Sequence, residues 1–330
     1  MDANRGVARL ETATGTRFAR IASARHETER RLKERREALT ALDIDAGGTI
    51  VLMGSWGRRE VTSESDDDFM VLFEGAEREH ARPAVSDVAN VLDAPPPGRE
   101  EIFGSHVWLG DLRGKIGRDE DTNANLTRRM LLVLESVPVA GEANYQRARR
   151  SLLAGYLDAN AKDHQPPRFF LNDVIRYWRT IAVDFESKMR ARKGEGWGLR
   201  NAKLRLSRKA LFAGGLLPLL ECYRYPADQM VDYLDERMSL PPLDRIADAF
   251  VAHDALDAGV RTLAAYDTFL AILDDSERRS HLDELGMEDA GESPVFARVA
   301  ELGEEFEAGL LSLLFDDRDL RRWVREYIVF

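Results

Sequence analysis

The residues best suited to chemistry lie between two apolar runs near the start of the chain. Gly54 and Ser55 follow the run Val51-Leu52-Met53, and Asp66 and Asp68 precede the run that ends at Phe73. Side chains at i and i+2 of a strand point to the same side, so the two aspartates are expected to project together. Paired carboxylates can hold divalent cations, and a glycine turn lets backbone N–H groups approach a phosphate. The pattern predicts metal-assisted phosphoryl or nucleotidyl transfer.

Two adjoining motifs resemble a known superfamily. Gly-Ser-x-Gly-Arg-x-Glu at 54–60 and Ser-Asp-x-Asp at 65–68 look like the nucleotidyltransferases of the DNA polymerase β type. The nearest branch is that of the bacterial protein uridylyl- and adenylyltransferases. The resemblance is sharp over 48–75, and a less specific likeness to a helical region of some bacterial members covers 100–210.

The resemblance implies roles for individual residues. Gly54 and Ser55 would bind the nucleotide phosphates, and Asp66 and Asp68 would bind Mg²⁺, or Mn²⁺ in its place. Arg58 and Ser65 belong to the same motif and are expected at the nucleotide as well.

One residue departs from the family pattern. The position between the two aspartates is usually apolar because it faces the interior of the sheet, whereas this chain has Asp67. Either that face is solvated where the strand starts, or the pairing register differs by one residue and another pair of carboxylates does the work.

Enzymes of this type usually carry a third carboxylate on a later strand, which assists deprotonation of the attacking hydroxyl. Asp111 follows the third predicted strand and is the first choice. Glu101, Asp119 and Asp121 are its rivals.

The segment from residue 176 to 209 is strongly basic, with a local charge of about +8. Arg176 and Arg179 share one face of a predicted helix, and Lys203 lies on the next predicted helix. These side chains are expected to meet the oxygens of a triphosphate, for which guanidinium groups are suited. The alternative interpretation is an ordinary solvated basic surface.

The elements that must position these residues are read from hydrophobic periodicity. It predicts amphipathic helices over 5–42, strands over 49–53, 68–73 and 105–109, and only helices from residue 126 onward. The fold class is therefore α+β, a small mixed β-sheet followed by an all-helical region. We expect an N-terminal helical segment at 1–45, a nucleotidyltransferase domain at 46–120 and a helical domain at 121–330, with the substrate cleft between the last two.

Composition narrows the class of protein. The formal net charge is −11, which argues against a general nucleic-acid coat. Cys222 is the single cysteine, so no intrachain disulfide can form. Since there is no signal-peptide pattern and no apolar run long enough for a membrane, a soluble cytoplasmic protein is expected.

The predicted function is transfer of a nucleoside monophosphate from an NTP to an acceptor, with release of pyrophosphate. The sequence leaves the acceptor open among a protein, an RNA and a small molecule, and it leaves the oligomeric state open. If the acceptor is a second nucleotide, the chain is a synthase of cyclic oligonucleotide messengers. A catalytically degenerate nucleotide-binding sensor is the alternative from a different class.

Overall fold

The computed structural model describes residues 5–75, 77, 80–94, 102–158, 161–191 and 194–329. The strands are β1 Gly48–Met53, β2 Phe69–Phe73, β3 His106–Trp108 and β4 Ser136–Ala140. The α-helices are α1 Arg5–Thr14, α2 Ala19–Leu39, α3 Ser55–Arg58, α4 Val85–Leu92, α5 Leu109–Gly114, α6 Asn123–Leu134, α7 Glu142–Leu157, α8 Arg168–Ala191, α9 Trp197–Lys203, α10 Lys209–Glu221, α11 Ala227–Met238, α12 Pro242–Ala252, α13 Leu256–Asp274, α14 Ser276–Glu284, α15 Pro294–Asp316 and α16 Arg318–Val324. Two π-helical turns, Leu204–Arg208 and Arg325–Val329, continue α9 and α16. The α+β fold class is confirmed.

The four strands form one mixed sheet in the order β3-β2-β1-β4. β1 is antiparallel to both of its neighbours, and β3 is parallel to β2. Leu52 pairs with Phe69, and the N–H of Met53 donates to the carbonyl oxygen of Asp68 at 2.9 Å. The end of β1 therefore meets the start of β2, which brings the two motif segments side by side.

The strand β4 is a correction, because only helices were expected after residue 126. Its sequence Ser-Val-Pro-Val-Ala contains Pro138, which cannot donate to a ladder and lowers the strand signal. The structure tolerates this proline because β4 is an edge strand of the sheet. The carbonyl oxygen of Pro138 accepts a hydrogen bond from Arg36 Nη2 at 3.3 Å.

One face of the sheet forms a hydrophobic core with α2 and α4. The strands present alternate residues to this face, as the two-residue period of a strand requires. The main members of this core are Ile50, Leu52, Phe69, Val71, Phe73, Val137 and Val139 from the strands and Leu32, Leu39, Val88 and Leu92 from the helices. Phe73 also stacks on Trp108, with ring centroids 4.9 Å apart.

The chain divides into two compact units, each assembled from separate stretches. The sheet unit comprises Arg25–Asp173 and Arg224–Pro241, and the helical unit comprises Met1–Ala24, Val174–Tyr223 and Pro242–Phe330. In the sheet unit, α11 is tied to α7 by the buried guanidinium of Arg149, whose Nη2 lies 2.9 Å from Asp235 Oδ1.

In the helical unit, α1 packs against α12 although the two are distant in sequence. The N–H of Val7 donates to Asp244 Oδ1 at 2.9 Å. A Cβ on Gly6 would lie 1.9 Å from the carbonyl oxygen of Asp244, so the helices approach closely only because residue 6 has no side chain.

Candidate nucleotide and metal site

The turn after β1 requires glycine. Gly54 has φ 67° and ψ −125°, a region that residues with a Cβ rarely adopt. Its carbonyl oxygen accepts from the N–H of Arg58 at 3.0 Å, which starts α3 directly after the turn. A Cβ at position 54 would lie 3.7 Å from Asp68 Oδ2. The structure thus brings the glycine turn and one of the predicted metal ligands together.

The three consecutive aspartates alternate between solvent and interior. Asp66 is exposed and Asp68 is partly exposed, whereas only 5% of Asp67 is accessible. Asp67 faces the interior, where its Oδ2 lies 2.7 Å from Arg35 Nε. The inward position is therefore not solvated as the first alternative required. Asp67 occupies it paired with Arg35, while Asp66 and Asp68 on either side stay accessible.

Burial raises the pKa of Asp67, and the nearby Arg35 opposes that rise. The buried carboxylate needs a cation because an unpaired charge in an apolar interior is costly. Arg35 supplies that cation from α2.

Helix α2 holds the connection between α3 and β2, residues 59–68, which we call the carboxylate loop. Thr28 Oγ1 accepts from the N–H of Val61 at 3.1 Å, and Arg31 donates to the carbonyl oxygen of Thr62. Glu29 pairs with Arg59 at 2.5 Å. No motif in the sequence marks this role of α2. The available signal was Asp67 itself, an acidic residue at an interior position that requires a cation nearby.

Trp56 anchors the carboxylate loop from the hydrophobic core. It is fully buried, and its Nε1 donates to the carbonyl oxygen of Asp66 at 3.1 Å. The guanidinium carbons of Arg31 and Arg35 lie 5.6 and 5.9 Å from the centre of its ring, within the range of cation–π attraction. The backbone of Asp66 is thus attached to α3 and, through the indole, to α2.

Arg58 supports the glycine turn from inside. It is buried, with Nε 3.1 Å from Glu60 Oε2 and Nη1 bonded to Glu135. A Cβ on the neighbouring Gly57 would lie 2.0 Å from the carbonyl of Glu135, so α3 packs directly on the chain entering β4. The sequence placed Arg58 at the nucleotide, and the structure places its charge among buried carboxylates.

Ser65 closes the carboxylate loop. Its Oγ accepts from the N–H of Thr62 at 2.9 Å, and its own N–H donates to the carbonyl oxygen of Thr62 at 3.2 Å. The serine shapes the turn that delivers Asp66.

The structure does not bring Asp111 to the aspartate pair. It lies in the first turn of α5, after the end of β3, and pairs with Lys115 at 3.0 Å. Because β3 runs parallel to β2, Asp111 is at the opposite end of the sheet from Asp68, a separation on the order of 15 Å.

The rivals of Asp111 have different surroundings. Asp121 is enclosed with Arg129, to which it forms two hydrogen bonds of 2.7 and 2.6 Å. Burial opposes the charge of Arg129, but its bonds to Asp121 and Tyr156 outweigh burial and raise its pKa. Asp119 is exposed, and Glu101 lies outside the described residues.

Three predicted phosphate ligands belong to the helical unit. Arg176 and Arg179 are in α8, and Lys203 is the last residue of α9, directly before a π-helical turn. The other predicted site residues all belong to the sheet unit. Triphosphate binding by these three residues stays a prediction.

In the described part of the chain, no three His, Cys, Asp or Glu side chains are grouped closely enough to form a metal site by themselves. Two carboxylates nevertheless suit Mg²⁺, which commonly binds one or two protein carboxylates and completes its shell with water and substrate phosphates. The donor set at Asp66 and Asp68 therefore fits this ion.

No protein-family model matches the sequence, and no curated protein matches it either. The likeness to the polymerase β superfamily thus rests on the motif residues alone. Among the described helices, none has the length and apolar character needed to cross a bilayer.

Proposed function

We propose that the chain is a Mg²⁺-dependent nucleotidyltransferase, which transfers a nucleoside monophosphate from an NTP to an acceptor and releases pyrophosphate. The observation that carries this proposal is the closeness of the Gly54 turn to the Asp68 carboxylate, whose Oδ2 would lie 3.7 Å from a Cβ at position 54. The residue that must lack a side chain stands against the carboxylate that would hold the cation.

Each motif residue has a separate task in this proposal. Gly54 is buried and sets the turn through its positive φ, whereas Ser55, which is partly exposed, would offer its hydroxyl to a phosphate group. Asp66 and Asp68 would hold Mg²⁺, which when bound neutralises phosphate charge and favours in-line displacement at the α-phosphorus. The acceptor oxygen loses its proton to water and forms a bond to the α-phosphorus, while the bond to the bridging oxygen of pyrophosphate breaks.

The remaining residues orient the two aspartates. Trp56 holds the backbone of Asp66, and Arg35 holds the inward side chain of Asp67. Preorganised carboxylates need no rearrangement at the moment of reaction, which is how enzymes obtain most of their electrostatic stabilisation.

The test is incubation with each α-labelled NTP and Mg²⁺, alone and with cell extract. We expect label in a protein, an RNA or a small product, and no label with Asp66→Asn or Asp68→Asn. A labelled cyclic oligonucleotide formed without extract would identify a second nucleotide as the acceptor. Tight NTP binding without transfer in any mixture would contradict the proposal and favour a nucleotide sensor.

A further inference from the structure

Helix α16 and the π-helical turn after it carry an unusual row of arginines. The arginine groove is formed by Arg318, Arg321, Arg322 and Arg325. Their spacing is i, i+3, i+4 and i+7, which puts all four on one face of the helix. Together with Asp319 and Glu326 they line an open groove of about 620 Å³.

Within the described residues, none of the four arginines is ion-paired, although many other arginines of this acidic chain are. The contrast matters because exposed arginines next to acidic residues ordinarily form such pairs.

The acidic residues that precede or interrupt the row have other partners. Asp316 accepts from Ser312 Oγ at 2.7 Å. Asp317 caps α16 through the N–H groups of Asp319 and Leu320 and also meets His253 at 3.1 Å. Asp319 accepts from Tyr223 at 3.4 Å. Asp319 and Glu326 also line the groove, so its four arginines and two carboxylates leave it a formal charge of +2.

An aromatic cluster lies directly beside the arginines. The guanidinium carbon of Arg322 is 4.6 Å from the centre of the Trp323 ring. Tyr327, which is partly exposed, lies 5.5 Å from Trp323. Trp323 is itself buried, so of the two rings Tyr327 is the one on which a base could stack. Arginines beside an accessible aromatic ring are typical of surfaces that bind a single strand.

We infer that the arginine groove binds a short stretch of single-stranded nucleic acid through its phosphates. The row extends about 10 Å along the helix, which suits a series of phosphates better than a single one. The strongly acidic remainder of the chain limits the footprint to this patch. The inference does not depend on the proposed transferase activity, since no residue of the aspartate site takes part.

The experiment measures binding of a fluorescein-labelled 12-nucleotide uridine oligomer at several salt concentrations. With up to four phosphate contacts, the logarithm of the affinity should fall with the logarithm of salt concentration at a slope of about −2 to −3. Affinity should therefore drop by about 20- to 60-fold between 50 and 200 mM salt. Changing all four groove arginines to glutamine should weaken binding at least about 10-fold and remove most of that slope.

A matched control carries the same loss of charge at exposed arginines that are already ion-paired. It replaces Arg30, Arg150, Arg278 and Arg298 by glutamine. This control should bind as the wild type does. The variant with four lysines in the groove should keep most of the slope, because the charges are retained. Circular dichroism checks the fold of each variant, and Arg322→Gln with Arg325→Gln replaces the fourfold variant if that one is unfolded.

Several results would overturn the inference. One is that the matched control variant binds the oligomer as weakly as the groove variant does. Others are binding of inorganic triphosphate, or of vesicles containing anionic lipid, without binding of the oligomer. Absence of oligomer binding by the wild type at 50 mM salt would overturn it as well, whatever the outcome of the labelling assay.

Discussion

Of the three consecutive aspartates, Asp66 and Asp68 have a proposed functional role and Asp67 has a structural one. Asp66→Asn and Asp68→Asn each remove a proposed cation ligand, so transfer activity should fall by about 10²-fold or more. The melting temperature should stay equal or rise, because two neighbouring carboxylates repel each other when no cation is bound. Asp158→Asn serves as control, since it changes an exposed carboxylate of the same unit that pairs with Arg113. Loss of activity in the control, or its retention in both site variants, would contradict the assignment.

Asp67 should show itself in the pH dependence of stability. Its pKa is raised on folding, so the native state binds this proton more tightly than the unfolded chain does. The ionised Asp67 carboxylate therefore lowers the free energy of unfolding as pH rises from about 3.8, its pKa in the unfolded chain, through its pKa in the folded chain. We expect the unfolding free energy of the wild type minus that of Asp67→Asn to decrease over this window in EDTA. Denaturant titrations from pH 4 to 7 measure it, and a difference that rises with pH would exclude this account.

Gly54 and Gly75 form a natural pair for testing the turn. Both have positive φ, 67° and 92°, so alanine at either position should cost about 1–3 kcal/mol of stability. Only at Gly54 would the added Cβ meet a site residue, Asp68; at Gly75 it meets open space. Gly54→Ala should thus lose NTP affinity well beyond Gly75→Ala when both are measured far below their melting temperatures. Equal affinities in the two folded variants would remove the turn from the site.

At the scale of elements, α2 and β4 show what the sequence could and could not supply. The two continuous apolar runs indicated β1 and β2, and the glycine, serine and aspartate between them indicated the connection, because both are local signals. Arg35 escaped notice because its contact with Asp67 joins residues 32 positions apart. The strand β4 escaped because Pro138 is acceptable only on an edge, and which strand is the edge depends on the whole sheet. The position of Asp111 was missed for the same kind of reason, since it depends on β3 running parallel to β2.

The clamp between α2 and the carboxylate loop should be measurable as a coupling energy. Arg35→Ala and Asp67→Ala each break the same buried ion pair, so their effects on stability should not add. We expect a coupling of about 0.5–3 kcal/mol in a double-mutant cycle. Strict additivity in urea unfolding would show that the pair does not hold the loop.

In the helical unit, His253 connects three helix ends. It lies 3.3 Å from Glu221 at the end of α10 and 3.1 Å from Asp317 at the start of α16. Burial alone would lower the pKa of His253, but its hydrogen bonds to the two carboxylates outweigh burial and raise it. The stabilisation from the charged ring is complete below about pH 6.5 and is lost as pH rises through the folded pKa.

We therefore expect His253→Gln to be less stable than the wild type at acidic pH and to approach its stability at alkaline pH. The difference in unfolding free energy between wild type and variant should be larger at pH 6 than at pH 9. Denaturant unfolding at both values, with His164→Gln as control, measures it. A difference that is constant or grows with pH would show that His253 is neutral in the folded chain.

At the scale of the whole molecule, the chain moves between its two units four times. The sheet unit needs β4, which lies beyond residue 120, and α2, which lies before residue 46. A fragment of residues 46–120 would therefore lack the edge partner of β1 and the helix that covers Asp67. We expect this fragment to give the circular dichroism of an unfolded chain under conditions in which the full chain is folded. A folded fragment with a cooperative melting transition would contradict the need for both elements.

The packing of α1 against α12 has a consequence for synthesis. The hydrogen bond between Val7 and Asp244 can form only after another 237 residues have been synthesised. At translation rates of roughly 5–20 residues per second, that interval lasts about 12–50 s. During this time Val7 and Leu10, both buried in the finished protein, have no native surface to cover them. The nascent chain thus exposes the apolar side of a short amphipathic helix to the cell's chaperones before α12, Pro242–Ala252, leaves the ribosome.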